Sequence, residues 1–577
     1  MEHSAVLPEP AASSTKSPAG AGATPSGRGG PSLRARTILL TLVLSLAAFA
    51  RLASLPAKEP WLDEWYSVSA ARLAWPSFLS LMVQREANMA LYYVVLRFWL
   101  QIDDSQVFVR LLSVLFALAT LSVLYRLGSR IFGTPVGLTA ALLLALNPFH
   151  VRYSQEMRSY SLLVLLLTLS TLLFVRCIER PALKNWALYV LATVAAMYSH
   201  LFGALLLPAH AASLALLPLR ENAWRGMAWA SGTAALLGAP LGLFAVSVGT
   251  GPISWLPKPE LRSLVRLFYA LTGGVEERTP LFLAYFLFCL VALASATRLW
   301  RLGRGTEAWR HGLVTCCLAI PVAITYGFSL LGRPVFIPRY LVICVPYVCL
   351  LAALGLHRLR PGWPRAVSLA LLLALSAHGV YVYSRQPNVD NLGLGDWRAA
   401  SHYVSASSGP GDGLIFYSWV GRLPFDYYHR RELAEAAEPV AVYPADWVRV
   451  QLLGPRGGPS DDEIATLPSR HRRIWLIFSL KRTPDWNRLE TSLARHYTLR
   501  SERSFPGVQV RLYVCRDHAE AMPVVGCHRP PNPELHRSPE RPPDSVCLDE
   551  GGGRDHLQCD PAKTVDMRVN MTSGTEH

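Results

Sequence analysis

The sequence predicts a polytopic α-helical membrane protein with about eleven transmembrane helices and a small C-terminal α/β soluble domain. Hydrophobic residues make up 51% of the 577 residues and charged residues only 17%, which is too apolar for a soluble protein of this length. Apolar runs near the length needed to cross a bilayer recur as far as Arg385. After Arg385 the composition changes to that of a water-soluble domain.

The first expected span runs from Thr37 to Leu55. Residues 1–36 before it are rich in Ala, Ser, Pro and Gly and contain nothing to build a core, so we expect a disordered tail. A signal peptide would also place basic residues before an apolar run, but this run is about a full span long. The ten further spans are expected at approximately 107–127, 134–149, 159–176, 184–199, 202–218, 228–248, 281–299, 311–331, 339–357 and 365–384.

The connection between the first two spans, residues 56–106, is expected to be a long outer-face loop. It contains amphipathic stretches around Ser67–Arg72 and Ala90–Leu100. The second stretch is too short to cross a bilayer, which favours a helix lying in the membrane interface.

Positive charge is distributed unequally between the two faces. One set of alternate short connections holds fourteen Lys and Arg residues, and the other set holds four. Because short cytoplasmic loops collect Lys and Arg, the N-terminus is predicted to be cytoplasmic and the C-terminal domain periplasmic or extracellular. The formal charge of +16 comes from arginines scattered through these loops, with no clustered basic face. Orientation and phosphate binding therefore explain it better than nucleic acid does.

Residues 385–517 alternate strand-like and helix-like stretches, a pattern that predicts a small α/β domain. They contain no glycine-rich phosphate loop and no recognisable nucleophile motif. Residues 518–577 are dominated by Pro, Gly and charges, so we expect disorder there. The ten cysteines show no CxxC or Cys/His metal spacing, so no zinc site is expected. Within residues 385–517, the strand-like runs are Gly413–Ser418, Pro439–Tyr443, Ile474–Ser479 and Gln509–Val514. The helix-like runs there are Asp396–Ser407, Asp461–Leu467 and Trp486–Tyr497.

Polar residues collect at the expected outer face, in the loops after spans one, three and five and before span ten. Each has an alternative explanation. Arginines at span ends often snorkel to the interface, and a histidine at a helix end more often packs or caps than catalyses. Glu and Arg close in sequence can form an ordinary ion pair. Their convergence on one side favours an active site at the membrane face. The residues are Asp63, Glu64, Arg152, Tyr153, Glu156, Arg158, His200, Arg333, Arg339 and Tyr340.

Three segments resemble the dolichyl-phosphate-mannose protein mannosyltransferase family, glycosyltransferase family 39. They are Asp63–Glu64, Met89–Tyr93 and Tyr153–Tyr160. They are also similar to the bacterial lipid A aminoarabinose transferases, and both groups belong to the C-type superfamily of membrane glycosyltransferases. Tyr198–Gly203 and Pro338–Leu341 resemble motifs common in bacterial members. In order and spacing, the resemblance covers roughly residues 37–385.

The resemblance implies the C-type glycosyltransferase fold and a location in the bacterial inner (plasma) membrane. It also implies that a sugar passes from a polyprenyl-phosphate carrier to a lipid, glycan or protein acceptor on the outer face. A single displacement with inversion at the anomeric carbon is expected. One departure concerns the loop at 87–92, where the bacterial pattern His-Pro-Pro-Leu-Tyr-Tyr is replaced by Ala-Asn-Met-Ala-Leu-Tyr. The acidic pair is intact.

Such a reaction needs a carboxylate to take the acceptor's proton and cations to hold the departing phosphate. Asp63 is expected to be the base, with Glu64 and Glu156 orienting acceptor or sugar hydroxyls. No cofactor is expected. The acids could hold a divalent cation, but nothing resembles a dedicated cage. The expected phosphate ligands are Arg158, Arg333 and Arg339, and the other expected substrate contacts are Arg152, Tyr153, His200, Tyr340, Tyr92 and Tyr93.

Two other functions are compatible with the composition. A transporter or flippase for a lipid-linked sugar would bind near the bilayer midplane, using broken helices and intramembrane charges. The expected spans are nearly free of acids and bases at their centres, which favours the enzyme. An inactive relative acting as a scaffold is the third hypothesis, and the intact acids argue against it.

Overall fold

The structure is a computed structural model. It describes residues 32–56, 58–217, 221–249, 256–273, 279–332, 334–385, 395–433, 439–453, 458–479 and 485–516. The tail predicted at 518–577 lies outside these ranges. The tail predicted at 1–36 also lies outside them up to residue 31, and its last four residues already belong to the first helix, which begins at Leu33.

The described part of the chain is mostly helical. The helices are α1 (Leu33–Leu52), α2 (Leu62–Arg72), α3 (Trp75–Leu81), α4 (Ala90–Trp99), α5 (Gln106–Phe132), α6 (Thr134–Ala145), α7 (Pro148–Tyr153), α8 (Tyr160–Glu179), α9 (Leu183–Ser199), α10 (Leu206–Leu214), α11 (Glu221–Val248), α12 (Leu261–Thr272), α13 (Thr279–Arg301), α14 (Gly305–Leu330), α15 (Val345–Leu356), α16 (Trp363–Arg385), α17 (Trp397–Ser407), α18 (Arg422–Glu432), α19 (Trp447–Leu453), α20 (Asp461–Ala465) and α21 (Asp485–His496).

Eight helices of the described residues are long and apolar enough to cross a membrane. They are α1, α5, α8, α11, α13, α14, the helix Pro338–Leu356 that includes α15, and α16. The three other predicted spans correspond to shorter helices. At about 1.5 Å per residue, the seventeen residues of α9 reach roughly 26 Å, a little less than the hydrocarbon thickness. The run predicted at 134–149 is divided because Asn147 caps a new helix and Pro148 begins it.

The main hydrophobic core lies among the membrane helices, with α15 at its centre. All twelve residues of α15 are buried, and α5, α6, α8, α9 and α13 contribute side chains around it. Gly128 of α5 and Gly137 of α6 permit one close approach, because a Cβ on Gly128 would lie 2.8 Å from the Cα of Gly137. This packing fixes the ends of α5, α8 and α15, from which the candidate site is built.

The chain between α1 and α5 forms α2, α3 and α4, joined by a π-helical turn (Met82–Glu86) and a 3-10 turn (Ala87–Met89). A second hydrophobic core joins these helices to the C-terminal part of the chain. Trp65 packs on Tyr427 with ring centroids 4.6 Å apart, and Tyr66 packs on Trp447 at 5.8 Å. The helix that carries Asp63 and Glu64 therefore packs against the C-terminal segment, by which we mean the described residues between 395 and 516.

The C-terminal segment contains a five-stranded mixed sheet in the order β2-β1-β3-β5-β4. Pairs β1–β2 and β1–β3 are parallel, whereas β3–β5 and β4–β5 are antiparallel. Four strands lie where strand-like runs are predicted, and β4 is additional. The strands are β1 (Gly413–Phe416), β2 (Val440–Tyr443), β3 (Arg473–Ser479), β4 (Tyr497–Phe505) and β5 (Val508–Cys515).

Candidate active site

The candidate site begins at the first turn of α2. The Glu64 carboxylate accepts a hydrogen bond from the backbone N–H of Trp61 at 3.0 Å, and the Glu64 N–H donates to the Trp61 carbonyl at 2.9 Å. This reciprocal pair satisfies donors that a helix start leaves open. Two acids in the first turn are also favourable beside the positive end of the helix dipole. The helix start therefore fixes the position of both acids.

Glu64 is buried and fully engaged by the protein. Its side chain is 1% exposed and forms an ion pair with Arg110 of α5, whose Nε and Nη2 each donate at 3.1 Å. The N–H of Met157 donates to the same carboxylate at 3.0 Å. We expected Glu64 to orient a substrate hydroxyl. That role stays a prediction. In the structure both carboxylate oxygens already accept hydrogen bonds, and these bonds tie α2 to α5 and to the segment after α7.

Asp63, one residue earlier, is accessible. Its side chain is 32% exposed and lies 3.7 Å from Nη2 of Arg158, whose own side chain is 10% exposed. Nη1 of Arg158 also donates to the Asp63 carbonyl at 3.3 Å, to the Ser67 hydroxyl at 3.2 Å and to the Tyr93 hydroxyl at 3.4 Å. Arg158 thus contacts both the carboxylate and the backbone of Asp63, and its Nη1 is anchored by two neighbouring hydroxyl groups.

Glu86 is a site residue that the sequence analysis missed. Its carboxylate accepts a hydrogen bond from the Tyr93 hydroxyl at 3.3 Å, and it interacts electrostatically with Arg158 and Asp63. Burial raises the pKa of Glu86, and Arg158 acts in the opposite direction. Glu86 ends the π-helical turn, an irregularity that is often found at functional sites. A single Glu in a polar loop carries no motif that could have singled it out.

Glu156 lies on the other side of Glu64 and is 7% exposed. Its Oε1 lies 3.8 Å from Nε of Arg152, while its buried Oε2 accepts no hydrogen bond from the described residues. Burial raises the pKa of Glu156 to about 7, against the opposing effect of Arg152. At neutral pH the group is therefore divided between carboxylic acid and carboxylate.

Glu156 and Lys58 both line a small polar cavity of about 20 Å³, which is large enough for roughly one water molecule. Lys58 is buried and donates to the Tyr383 carbonyl at 3.0 Å. Burial and the nearby Arg152 lower the pKa of Lys58 to about 7. The cavity thus brings together an acid and a base that both titrate near neutrality. In the sequence, Lys58 resembles an ordinary interfacial lysine.

His200, Tyr160 and Tyr340 form an aromatic group behind Asp63. The His200 ring lies 4.9 Å from that of Tyr340 and 6.4 Å from that of Tyr160. Its Nδ1 accepts a hydrogen bond from the N–H of Phe202 at 3.2 Å. Burial, together with Arg158 and Arg339, lowers the pKa of His200 to about 3. His200 is therefore a neutral imidazole at physiological pH.

Arg339 is a cation without an ion-pair or hydrogen-bond partner in the described part of the chain. It forms no hydrogen bond or ion pair there, and its half-buried guanidinium lies 5.3 Å from the Tyr340 ring and 5.6 Å from the Trp61 ring. Its Nε is buried without a hydrogen-bond partner among the described residues. Asp63 lies close enough to interact with it electrostatically. An anion entering beside Asp63 would find this guanidinium free to bind it.

The structure brings most of the predicted site residues together. Tyr153 joins the aromatic group through a ring contact of 5.1 Å with Tyr160. Tyr92 and Tyr93 are both fully buried, so a direct substrate contact, which we expected of both, is not open to either. The Tyr93 hydroxyl is hydrogen-bonded to Glu86 and to Arg158. Arg333 lies outside the described residues. Within the described ranges, no three His, Cys, Asp or Glu side chains lie together as ligands for a metal ion.

Comparison with known proteins is informative at the levels of sequence and fold. Residues 89–246 match the family described as dolichyl-phosphate-mannose-protein mannosyltransferase. No curated protein matches this sequence significantly.

Among solved structures, ArnT from Cupriavidus metallidurans bound to undecaprenyl phosphate is similar with a TM-score of 0.54 and 13% identity, over 83% of this chain and 98% of that one. Its apo state gives a TM-score of 0.53 and 14% identity over 82% and 98%. The archaeal oligosaccharyltransferase AglB from Archaeoglobus fulgidus, in complex with an inhibitory peptide and a dolichol-phosphate, has a TM-score of 0.45 and 11% identity. The match covers 85% of this chain and 75% of that one.

The predicted resemblance is therefore confirmed: the chain is similar in sequence over residues 89–246 to the dolichyl-phosphate-mannose-protein mannosyltransferases, and its fold is similar to that of ArnT from Cupriavidus metallidurans.

Proposed function

We propose that this protein transfers a sugar from a polyprenyl-phosphate carrier to an acceptor on the outer face of the plasma membrane, with inversion. The observation that carries the proposal is the juxtaposition of an accessible carboxylate, Asp63, with Arg339, which has no ion-pair partner in the described chain. A base next to an open anion-binding cation is what displacement of a lipid phosphate by a hydroxyl requires. The ArnT structure with undecaprenyl phosphate supports a carrier of this class.

Asp63 acts on the acceptor. As the acceptor oxygen attacks the anomeric carbon, its proton passes to the Asp63 carboxylate. The bond from that carbon to the phosphate oxygen breaks, and the electron pair leaves with polyprenyl phosphate. Arg158 positions Asp63 through the 3.7 Å contact and its bond to the Asp63 carbonyl. We therefore assign Arg158 to orienting the base, rather than to the phosphate as the sequence alone suggested.

Arg339 binds the departing phosphate. Its guanidinium retains its donors for a ligand, and the flanking rings of Trp61 and Tyr340 fix its plane without neutralising it. His200 is neutral and therefore adds no positive charge to the phosphate site. Preorganised donors aimed at the charge that develops on the leaving group are the main source of stabilisation in such reactions.

Glu156 is proposed to orient a sugar or acceptor hydroxyl at the edge of the site. Its Oε2 is free of protein hydrogen bonds in the described chain, so it can accept one or, when protonated, donate one. Arg152 holds the other oxygen. Glu64, Tyr93 and Glu86 are proposed to support the site from behind.

The outer-face location rests on the asymmetry of Lys and Arg between the loops. The site residues Arg110, Tyr160 and Arg339 all lie at or near the N-terminal ends of their helices, which is consistent with one shared face. Residues 385–517 are proposed to lie on that face and to cover α2.

The test is to incubate the purified full chain with a panel of radiolabelled polyprenyl-phosphate sugars and candidate acceptors, and to follow the label. Transfer to an acceptor with release of polyprenyl phosphate is the expected result for one donor. Asp63→Asn should slow the transfer by roughly 10²–10⁴, and Asp462→Asn, the same chemical change at an exposed position on α20, should leave it unchanged. Movement of unaltered donor across vesicles, with no new glycosidic bond, would contradict the proposal and favour a flippase.

A further inference from the structure

A large basic cavity lies at the other ends of the helices that build the candidate active site. It has a volume of about 570 Å³, within the range of small-molecule sites. Arg110 and Arg130 are twenty residues apart on α5, or roughly 30 Å at 1.5 Å per residue. This is about the thickness of the hydrocarbon core. The cavity therefore lies on the opposite face of the membrane from Asp63.

Three arginines from three separate segments reach this cavity: Arg130 at the end of α5, Arg310 near the start of α14 and Arg358 just after α15. Among the described residues, Glu307 is the only acid that lines the cavity, and Glu307 forms an ion pair with Arg304. The lining of the cavity is therefore positively charged.

Two of the arginines keep most of their donors free within the described chain. Arg310 donates one hydrogen bond, from Nη1 to the Ile131 carbonyl at 3.4 Å. Arg358 donates one, from Nη2 to Nε2 of His311 at 3.2 Å, while Nδ1 of His311 donates to the Glu307 carbonyl at 2.9 Å. A guanidinium has five N–H donors, so both can bind a further anion bidentately. Arg130 is different, because Glu179 already occupies its Nε and Nη2.

The start of α6 adds backbone donors to the same cavity. Gly133, with φ +97°, is the N-cap residue, and no side chain caps the helix. Open N–H groups at a helix start, together with the positive end of its dipole, favour an anion. The hydroxyl of Ser129, which also lines the cavity, is buried and without a hydrogen-bond partner in the described residues. Cations from three segments and backbone donors from a fourth thus surround the cavity.

We propose that this cavity is a binding site for a phosphate group, carried by an anionic lipid headgroup or by a soluble phosphate compound. Phosphate matches the planar, bidentate donors of Arg310 and Arg358. Basic pockets between membrane helices at the cytoplasmic side are suited to anionic headgroups. The site does not depend on the proposed sugar transfer, because it shares no residue with the Asp63 cluster.

The experiment compares two double variants of the purified full chain, each of which removes two positive charges from the same face. Arg310→Ala/Arg358→Ala alters the cavity. Arg301→Ala/Arg360→Ala is the matched control, since both of those residues are exposed and neither lines the cavity. Binding of phosphatidylglycerol and of phosphatidylcholine is measured by native mass spectrometry, and binding of inorganic phosphate by the shift in thermal midpoint.

The cavity variant is expected to bind phosphatidylglycerol or inorganic phosphate about tenfold more weakly than the wild type, and the control should match the wild type. Preference for phosphatidylglycerol without a response to inorganic phosphate assigns the site to a lipid headgroup, and the reverse assigns it to a soluble phosphate compound. Arg358→Ala alone, at an exposed position, keeps the test decisive if the double variant does not fold. Equal binding by the cavity and control variants, or equal binding of phosphatidylcholine, would overturn the proposal.

Discussion

Two carboxylate–arginine pairs lie side by side at the start of α2. They differ in solvent exposure and in how many hydrogen bonds the carboxylate already accepts from the protein. Glu64 and Arg110 have side chains 1% and 3% exposed, and two backbone N–H groups complete the bonding of the carboxylate. Asp63 and Arg158 are 32% and 10% exposed, and their charged atoms lie 3.7 Å apart. The saturated pair can hold the fold together but cannot bind a ligand, whereas the open pair can accept a proton. We therefore propose separate roles for these two adjacent acids.

The substitution Asp63→Asn is the strongest test of this difference between the two pairs. The substitution keeps the size of the side chain and removes the base, so kcat for sugar transfer should fall by roughly 10²–10⁴. Donor affinity should change little, because the phosphate is assigned to Arg339. The loss of the half-open pair should cost only about 1 kcal/mol or less of stability. Initial rates with a lipid-phosphate sugar, beside thermal unfolding, measure both effects. Wild-type kcat in this variant would remove Asp63 from the chemistry.

Glu64→Gln tests the other pair and should act on stability. It leaves the Arg110 charge buried without its partner, which costs about 3–5 kcal/mol. We therefore expect a strong fall in the thermal midpoint and in the yield of folded protein, and per folded molecule a smaller loss of kcat than in Asp63→Asn. A variant that folds like the wild type and loses kcat alone would exchange the roles of the two acids.

Glu156 is intermediate, since it is buried like Glu64 but one of its oxygens is free, and its effect should depend on pH. Its pKa in the folded protein is about 7, above the ordinary value of 4.5. The folded state therefore binds the proton more tightly, and this contribution is present below pH 4.5 and is lost as pH rises through 7. The loss is on the order of 3 kcal/mol.

Thermal midpoints of wild type and Glu156→Gln, compared from pH 4.5 to 8, measure this effect. The wild type should lose stability relative to the variant over that interval. Glu260→Gln, at an exposed position, is the matched control and should show no such trend. A constant difference between wild type and Glu156→Gln would mean that the free oxygen carries no shifted proton.

Arg339→Ala sharpens the comparison from the side of the cations. Arg110 has a buried partner, whereas Arg339 has none in the described chain, so its loss should affect the ligand and not the fold. Donor binding should weaken by about 1.5–3 kcal/mol, the usual contribution of a hydrogen bond to a charged group. Titration of a polyprenyl-phosphate sugar measures this effect, with Arg262→Ala at an exposed position as the control. Unchanged affinity would move the phosphate elsewhere.

The sequence predicts the accessible pair, Asp63 and Arg158, better than the buried pair, Glu64 and Arg110. Asp63, Arg158, His200 and Arg339 lie in recognisable motifs, and the structure brings them together. The partner of Glu64 could not be predicted, because Arg110 lies 46 residues away inside an apolar helix and only packing shows that the two meet. Glu86 was missed because it belongs to no motif, and only the folded structure shows that it lies near Arg158 and Asp63.

The fold shows the same limit. Long apolar runs predict helices because burial in a bilayer requires it, and strands β1 and β3 are apolar enough to be recognised. Strand β4 was missed because it is an edge strand whose side chains are mostly exposed and polar. Its strand character depends on pairing with β5, a long-range contact that local composition does not encode.

The smallest expected effect concerns a third pair, Arg422 and Asp426 on α18. Nε of Arg422 lies 3.0 Å from Oδ2 of Asp426, and the Asp426 side chain is 38% exposed. A pair with one half-exposed partner contributes about 0–1 kcal/mol, so Asp426→Asn should not disturb folding. Arg422→Gln also loses the hydrogen bonds from Arg422 to the Pro444 and Ala445 carbonyls, so its rate is compared per folded molecule. The same helix contacts α2 through the rings of Tyr427 and Tyr428 on Trp65, contacts that do not depend on this charge. Turnover should therefore stay within tenfold in both variants, or about 1.4 kcal/mol in barrier height. Sugar-transfer rates of the two variants measure it. A thousandfold loss in folded Asp426→Asn, with Arg422→Gln unaffected, would mean that a carboxylate of the C-terminal segment takes part in the chemistry and that the open pair at Asp63 is not the whole site.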